Sequence, residues 1–147
     1  GLIKKSIDSV FCHRIKPMIV VTGDFNDEPH DNSLRKVMEV KKTSKASVIM
    51  DSEMYLLSDG LKTKSGVEGT YFYKERWNRL DHVLVNGRLL KSDSSFRLGS
   101  QGCSILDFSW LLKRDSKGRY VPRRTFLGTF YQGGISDHLP LLTQFEF

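Results

Sequence analysis

The chain contains 147 residues, enough for one domain with a hydrophobic core. Hydrophobic residues make up 39% and charged residues 27%, which is typical of a globular domain, and no apolar run approaches the roughly 20 residues of a membrane-spanning helix. Cys12 and Cys103 are too few for a disulfide framework and too far apart in sequence to indicate a zinc site. No signal peptide is recognisable, and the compartment stays open.

The segment from Gly1 to Lys16 predicts an amphipathic helix that packs on a sheet. We expect it to end before Pro17, because the residue before a proline disfavours helical backbone. A strand is predicted from Met18 to Thr22, where β-branched residues follow one another. The apolar residues at helical spacing in the first segment are Ile3, Ile7, Val10, Phe11 and Ile15.

Two short polar side chains, Asp24 and Asn26, follow this strand beyond Gly23. In extended backbone, residues two apart point to the same face, so a carboxylate and an amide would converge at the carboxyl end of a strand. The same letters also suit an Asx-turn, since Gly, Asp and Asn are common turn residues. This stretch alone favours neither interpretation.

The remaining elements are predicted from periodicity and turn residues. We expect a short helix marked by Leu34, Val37 and Met38, a loop over Lys41 to Lys45, strands at Gly69 to Tyr73, Leu80 to Val85, Phe126 to Tyr131 and Leu139 to Phe147, and an irregular stretch from Phe96 to Lys113 with a short helix near Ile105 to Leu112. The segment from Ala46 to Leu57 stays open between strand and helix.

The formal net charge is +6, and much of the excess lies between Lys113 and Arg124, where six basic residues accompany one acid. Such a run can steer a polyanionic substrate toward a protein. It is also typical of a solvated hairpin or loop. Both interpretations stay open.

Three motifs carry polar groups at strand ends: Gly23-Asp24-Phe25-Asn26, Arg79-Leu80-Asp81-His82 and Ser136-Asp137-His138-Leu139-Pro140. In this order and at this spacing they resemble the endonuclease/exonuclease/phosphatase superfamily, the Mg-dependent phosphohydrolases related to deoxyribonuclease I. The resemblance runs from about Met18 to the last residue. It implies an α/β fold: the C-terminal half of a two-sheet α/β sandwich, with one mostly antiparallel mixed sheet and flanking helices.

The resemblance also implies roles that suit the chemistry of these side chains. Asp24 would orient or deprotonate the attacking water, and Asn26 would donate an N–H to a phosphoryl oxygen. His138 would supply a donor and positive charge, with Asp81 accepting from its other ring nitrogen. Asp137 would be an oxygen ligand for Mg²⁺ or Mn²⁺.

Further residues near the motifs are weaker candidates. Trp77 and Arg79 would contact the substrate by stacking or by binding phosphate, although packing and an ion pair are alternatives for them. His82 follows Asp81 in a predicted strand, so alternation turns it to the opposite face and favours a structural role.

The superfamily takes its main metal-binding Glu from an N-terminal half that we do not find, and only Asp8 is acidic upstream of Asp24. We therefore expect residues 1–147 to be a single partial domain, inactive alone, that pairs with the missing half or self-associates through an exposed sheet face. The predicted function is hydrolysis of a phosphodiester or phosphomonoester in a nucleic acid, phospholipid or sugar phosphate. The alternatives are a non-catalytic phosphate- or nucleic-acid-binding module and a purely structural or interaction fragment.

Overall fold

A computed structural model describes residues 1–43 and 48–147. The helix α1 spans Leu2–His13, and short helical turns occupy Ser33–Val37, Gly87–Leu90 and Ser109–Leu111. The strands are β1 (Val20–Asp24), β2 (Lys41–Lys42), β3 (Met54–Leu56), β4 (Tyr71–Tyr73), β5 (Arg76–Asn78), β6 (Asp81–Asn86), β7 (Arg97–Ile105), β8 (Leu112–Arg114), β9 (Tyr120–Pro122), β10 (Phe126–Leu127), β11 (Phe130–Tyr131) and β12 (Leu141–Glu146). None of the helices in these ranges is both long and apolar enough to cross a membrane.

The main sheet has the strand order β1-β6-β3-β2. The pairs β1–β6 and β6–β3 are antiparallel, whereas β2 runs parallel to β3. The prediction of an α/β fold with one mostly antiparallel mixed sheet is therefore confirmed. The predicted loop at Lys41 to Lys45 begins with strand β2 instead. The end of that loop and the start of the segment from Ala46 to Leu57 lie outside the described residues.

One face of the main sheet carries the first hydrophobic core, on which α1 packs through Ile7. Ile19, just before β1, and Val21 within it pack against this core, as does Phe25 just beyond the strand. Since side chains alternate along a strand, the even-numbered residues of β1 point to the opposite face. The other buried members of this core are Leu34, Met38, Met54, Leu56 and Leu84.

β1 lies at an edge of the main sheet, and four of its five residues are exposed. The N–H of Phe25 donates to Leu80 O, and the N–H of Asn86 donates to Ile19 O, so the odd-numbered residues of β1 direct their backbone groups to β6. The N–H and C=O groups of Val20 and Thr22 consequently face the outer edge. Among residues 1–43 and 48–147, no strand pairs with that edge.

The prediction for Phe96 to Lys113 is wrong in its main feature. Arg97–Ile105 forms the nine-residue strand β7, paired antiparallel with β12, and the predicted helix is only a turn at Ser109–Leu111. The strand contains Gly99 and Gly102 and little apolar periodicity, so its conformation depends on pairing with a partner far along the chain.

The prediction of a single strand from Phe126 to Tyr131 is also wrong, because the segment folds into the hairpin of β10 and β11. Gly128 has a φ of 59° and allows the chain to reverse within two residues.

A second hydrophobic core lies outside this hairpin and contains Val67, Ile105, Leu111, Leu112 and Leu139.

Candidate active site

Two carboxylates meet where β1 and β6 pair, because Asp24 is the direct partner of Asp81 in the antiparallel register. Directly opposed residues project from the same face of a sheet, so both side chains leave the face opposite the first core. Asp24 is exposed and Asp81 is half-buried. The sheet register thus unites two motifs that are far apart in sequence.

His138 reaches this point because its segment is held against β4. Tyr71 forms an isolated antiparallel bridge with His138, and the N–H of Leu139 donates to Thr70 O at 2.8 Å. Leu139 itself is buried in the second core, which anchors the segment. The Nδ1 atom of His138 lies 2.7 Å from Oδ2 of Asp81.

One ligand atom from each of Asp24, Asp81 and His138 lies within 4.8 Å of the others. Asp81 and His138 also line a cavity of about 300 Å³. The side chains of these two residues are only 22% and 25% exposed, so their contact is partly shielded from water. The cavity is completed by Thr22, Gly23, Ser136, Leu139, Pro140 and Leu141.

The Asp24 loop adopts the Asx-turn, one of the two interpretations of its sequence. The N–H of Asn26 donates to Oδ1 of Asp24 at 2.9 Å, which is an Asx-turn. Asn26 has a φ of 52°, so the expectation that both residues share a face of extended backbone is wrong: β1 ends at Asp24. The Asn26 side chain is exposed beside the strand end, and its contact with phosphate stays a prediction.

Asp137 is exposed and precedes His138, but it is not one of the three residues whose ligand atoms converge. Its predicted role as a metal ligand stays a prediction.

Trp77 and Arg79 are held by contacts of another kind. Trp77 packs against the second core and meets Phe72 edge-to-face, with ring centroids 5.2 Å apart. Arg79 donates from Nε to Glu68 O at 2.9 Å, and its backbone N–H donates to Glu28 Oε1 at 3.2 Å. The Trp77 contact corresponds to the packing alternative. The Arg79 guanidinium binds a backbone oxygen, and among residues 1–43 and 48–147 it forms no ion pair with a carboxylate. Neither residue lines the cavity beside His138.

His82 occupies the opposite face of β6 and is fully buried. Its Nδ1 lies 2.9 Å from Ser58 Oγ, and its Nε2 lies 2.8 Å from the backbone oxygen of Asp27. Its ring also meets Phe25 edge-to-face at 5.5 Å. Both ring nitrogens are used inside the protein, which agrees with the structural role predicted for this residue.

Sequence reasoning missed Tyr71 and Arg124. The Tyr71 ring lies 4.8 Å from the imidazole of His138, and the Arg124 guanidinium lies 5.1 Å from the centre of the Tyr71 ring. Arg124 also donates to the backbone oxygen of Phe72. Tyr71 stood in an aromatic run that indicated only a strand, and Arg124 stood in the basic run, so no local signal linked them to His138.

The basic run folds largely as the hairpin of β8 and β9. Arg119 pairs with Asp115 at 2.7 Å and Lys117 pairs with Glu75. The hydrogen bond that Lys117 donates to Glu75 lowers the pKa of this glutamate below its ordinary value. Desolvation raises the pKa of Asp115, but hydrogen bonds from Arg119 and from backbone N–H groups outweigh it and lower the pKa overall. Part of the run is therefore neutralised locally.

The family model described as Endonuclease/Exonuclease/phosphatase family matches residues 1–146. No curated protein and no solved structure matches the chain. The family match spans all three motifs that supply Asp24, Asp81 and His138, and it indicates a hydrolase of the nuclease or phosphatase type. The chain belongs to the endonuclease/exonuclease/phosphatase family.

Proposed function

We propose that this chain supplies the water-positioning and phosphoryl-binding groups of a divalent-metal-dependent phosphoesterase that acts by in-line attack of water. The observation that carries the proposal is the convergence of Asp24, Asp81 and His138, with His138 Nδ1 at 2.7 Å from Asp81 Oδ2. Phosphoryl transfer depends mainly on positioning and on stabilising negative charge, and these side chains can do both.

The Asp81 contact gives His138 a defined orientation. If Nδ1 donates to Asp81, the remaining ring nitrogen, Nε2, is the atom that can meet a phosphoryl oxygen as a donor. Among residues 1–43 and 48–147, no hydrogen bond occupies that Nε2 atom. Asp24 would accept the proton of the attacking water, and Asn26 would donate its amide N–H to the phosphoryl group without adding charge.

The donor set suits a hard divalent cation, because Asp24 and Asp81 offer carboxylate oxygens within reach of one another. Asp137, exposed next to His138, could supply a further oxygen. Mg²⁺ or Mn²⁺ held by these carboxylates would neutralise negative charge on the phosphoryl oxygens.

We further propose that full activity requires an acidic ligand from outside residues 1–147 and a strand or a second copy on the open edge of β1. The outward backbone groups of Val20 and Thr22 could form a ladder there. Light scattering over a concentration series tests self-association. A monodisperse monomer that is fully active without an added partner would contradict both parts of this proposal.

The main test is a panel of phosphate esters: nucleic acids, phospholipids and sugar phosphates, each with Mg²⁺, Mn²⁺ or a chelator. It is run on the full-length gene product, and His138→Ala is the control for contaminating hydrolase. We expect metal-dependent release of product that His138→Ala loses. If no ester gives metal-dependent release of product above the level of the His138→Ala control, the proposed mechanism is overturned.

The second candidate is a non-catalytic phosphate- or nucleic-acid-binding module. It is favoured by the basic residues Arg123 and Arg124 near the candidate site, with Arg124 beside Tyr71. Salt-dependent DNA binding that persists in Asp24→Asn and His138→Ala, with no hydrolysis of any ester, would support this candidate instead.

A further inference from the structure

The hairpin of β10 and β11 exposes an unusual amount of apolar surface. Phe126 is 55% exposed, Leu127 57%, Phe130 74% and Tyr131 70%. Ile135, just along the chain, is 68% exposed. Single exposed apolar residues are ordinary, but four on one hairpin, with a fifth close by in sequence, mark an interaction site.

The apolar side chains occupy both faces of the hairpin. In its register Phe126 opposes Tyr131 and Leu127 opposes Phe130, so alternation places the first pair on one face and the second pair on the other. The Phe126 and Tyr131 rings contact each other edge-to-face at 5.5 Å. None of these four residues belongs to either hydrophobic core of the described residues.

The base of the hairpin is fixed to the segment that leads to His138. The N–H of Gln132 donates to Thr125 O at 2.8 Å, and the hydroxyl of Thr125 donates to Ile135 O at 2.7 Å. Gly134 packs so closely that a Cβ there would lie 1.7 Å from Arg123 O. These contacts therefore hold the base of the hairpin in place beside the segment that leads to His138.

Basic residues surround the base of the apolar tip. Arg123 is exposed, Arg124 follows it, and Lys113 donates to the Gln132 side chain at 3.3 Å. With the net charge of +6, this arrangement complements a negatively charged surface.

We propose that the β10–β11 hairpin inserts its tip into the interface of an anionic membrane, with Lys113 and Arg123 near the headgroups. Interfacial elements combine a buried apolar part with cations that contact anionic lipid. A platform that stacks nucleic-acid bases would use one face, whereas here both faces are apolar, and a lipid interface covers both at once. The proposal does not depend on the proposed phosphoesterase function, because binding is measured without turnover.

The test is co-sedimentation of the purified protein with vesicles of phosphatidylcholine containing phosphatidylserine, and with vesicles of phosphatidylcholine alone. We expect binding to the anionic vesicles that weakens as salt increases. Phe130→Ser should weaken it about tenfold or more, since one buried aromatic side chain is lost from the interface. Arg123→Gln should weaken binding to anionic vesicles by several-fold.

Ile15→Ser is the matched control, because Ile15 is 94% exposed and lies outside the hairpin. It removes one exposed apolar side chain and should leave vesicle binding unchanged. Circular dichroism would verify that all variants are folded, as expected for changes at exposed positions.

Equal vesicle binding by Phe130→Ser and the parent protein would overturn the proposal. It would also be overturned if the parent bound oligo-dT, but not vesicles, through Phe130. A concentration-dependent dimer that Phe130→Ser abolishes, with no vesicle binding, would likewise assign the hairpin to self-association.

Discussion

Two histidines flank the same carboxylate, His82 beside Asp81 in the chain and His138 beside it in space. Both ring nitrogens of His82 lie within 2.9 Å of protein partners, and its ring is fully buried. His138 has one nitrogen at 2.7 Å from Asp81, while its side chain lines a cavity and stays 25% exposed. A histidine whose nitrogens are both used inside the protein has nothing left for a substrate.

The difference follows from strand geometry. Asp81 and His82 are successive residues of β6, so their side chains leave opposite faces of the main sheet. His82 enters the side of the first core, where it meets Phe25. Asp81 faces the side where the segment of His138 is anchored through Leu139.

The largest effect is expected for His138→Ala. Loss of the group proposed to meet the phosphoryl oxygen should lower kcat by about 10²- to 10⁴-fold. Its side chain is outside both hydrophobic cores, so the melting temperature should change little. Steady-state kinetics on the ester found in the panel and a thermal melt together check this. Near-normal turnover in a folded variant would remove His138 from the mechanism.

His82→Ala should have the opposite effect, a loss of stability rather than of a catalytic group. It leaves a cavity and removes the partners of Ser58 and of Asp27 O, which should cost about 2–4 kcal/mol in the free energy of unfolding. Urea denaturation measures this change. A variant as stable as the parent but catalytically inactive would contradict the structural role and end the contrast between the two histidines.

Asp81→Asn tests the contact that distinguishes His138. The amide keeps the size of the side chain but cannot stabilise a charged imidazole, so we expect kcat to fall by about 100-fold. Asp137→Asn is the matched comparison, since it also neutralises one carboxylate beside His138. If Asp137 is a metal ligand only, its variant should raise the Mg²⁺ or Mn²⁺ concentration needed for half-maximal rate, with a smaller fall in kcat at saturating metal. Equal losses of kcat at saturating metal in both variants would argue against separate roles.

A smaller effect is expected from the difference between the half-buried thiol of Cys103 and the exposed thiol of Cys12. Burial raises the pKa of the Cys103 thiol, with smaller opposing hydrogen bonds from Thr143 and Ser104, so less thiolate forms at a given pH. Cys12 is exposed. Thiol labelling at mildly alkaline pH should therefore show Cys12 reacting about tenfold or more faster. In Cys12→Ser a single slow phase should remain, and a fast phase there would contradict the packing of β7.

Local signals were sufficient where a strand or helix carries a strong pattern of its own. Helix α1 followed from apolar spacing and Pro17, and β1 was found with a shift of two residues, from Met18–Thr22 to Val20–Asp24. Segments without such a pattern failed. The glycine-containing β7 exists as a strand through its pairing with β12, and the run from Phe126 to Tyr131 reverses at Gly128.

The sequence by itself determined the family and the chemistry of three motifs, because the residue types and their order are written in the chain. Only the tertiary structure decided which polar groups meet. Asp24 opposes Asp81 through a sheet register, and His138 arrives through the bridge to Tyr71 and the burial of Leu139. The placement of Arg124 beside Tyr71 and the apolar tip on both faces of β10–β11 also arise there. Such contacts join residues far apart in sequence, and local periodicity carries no information about them.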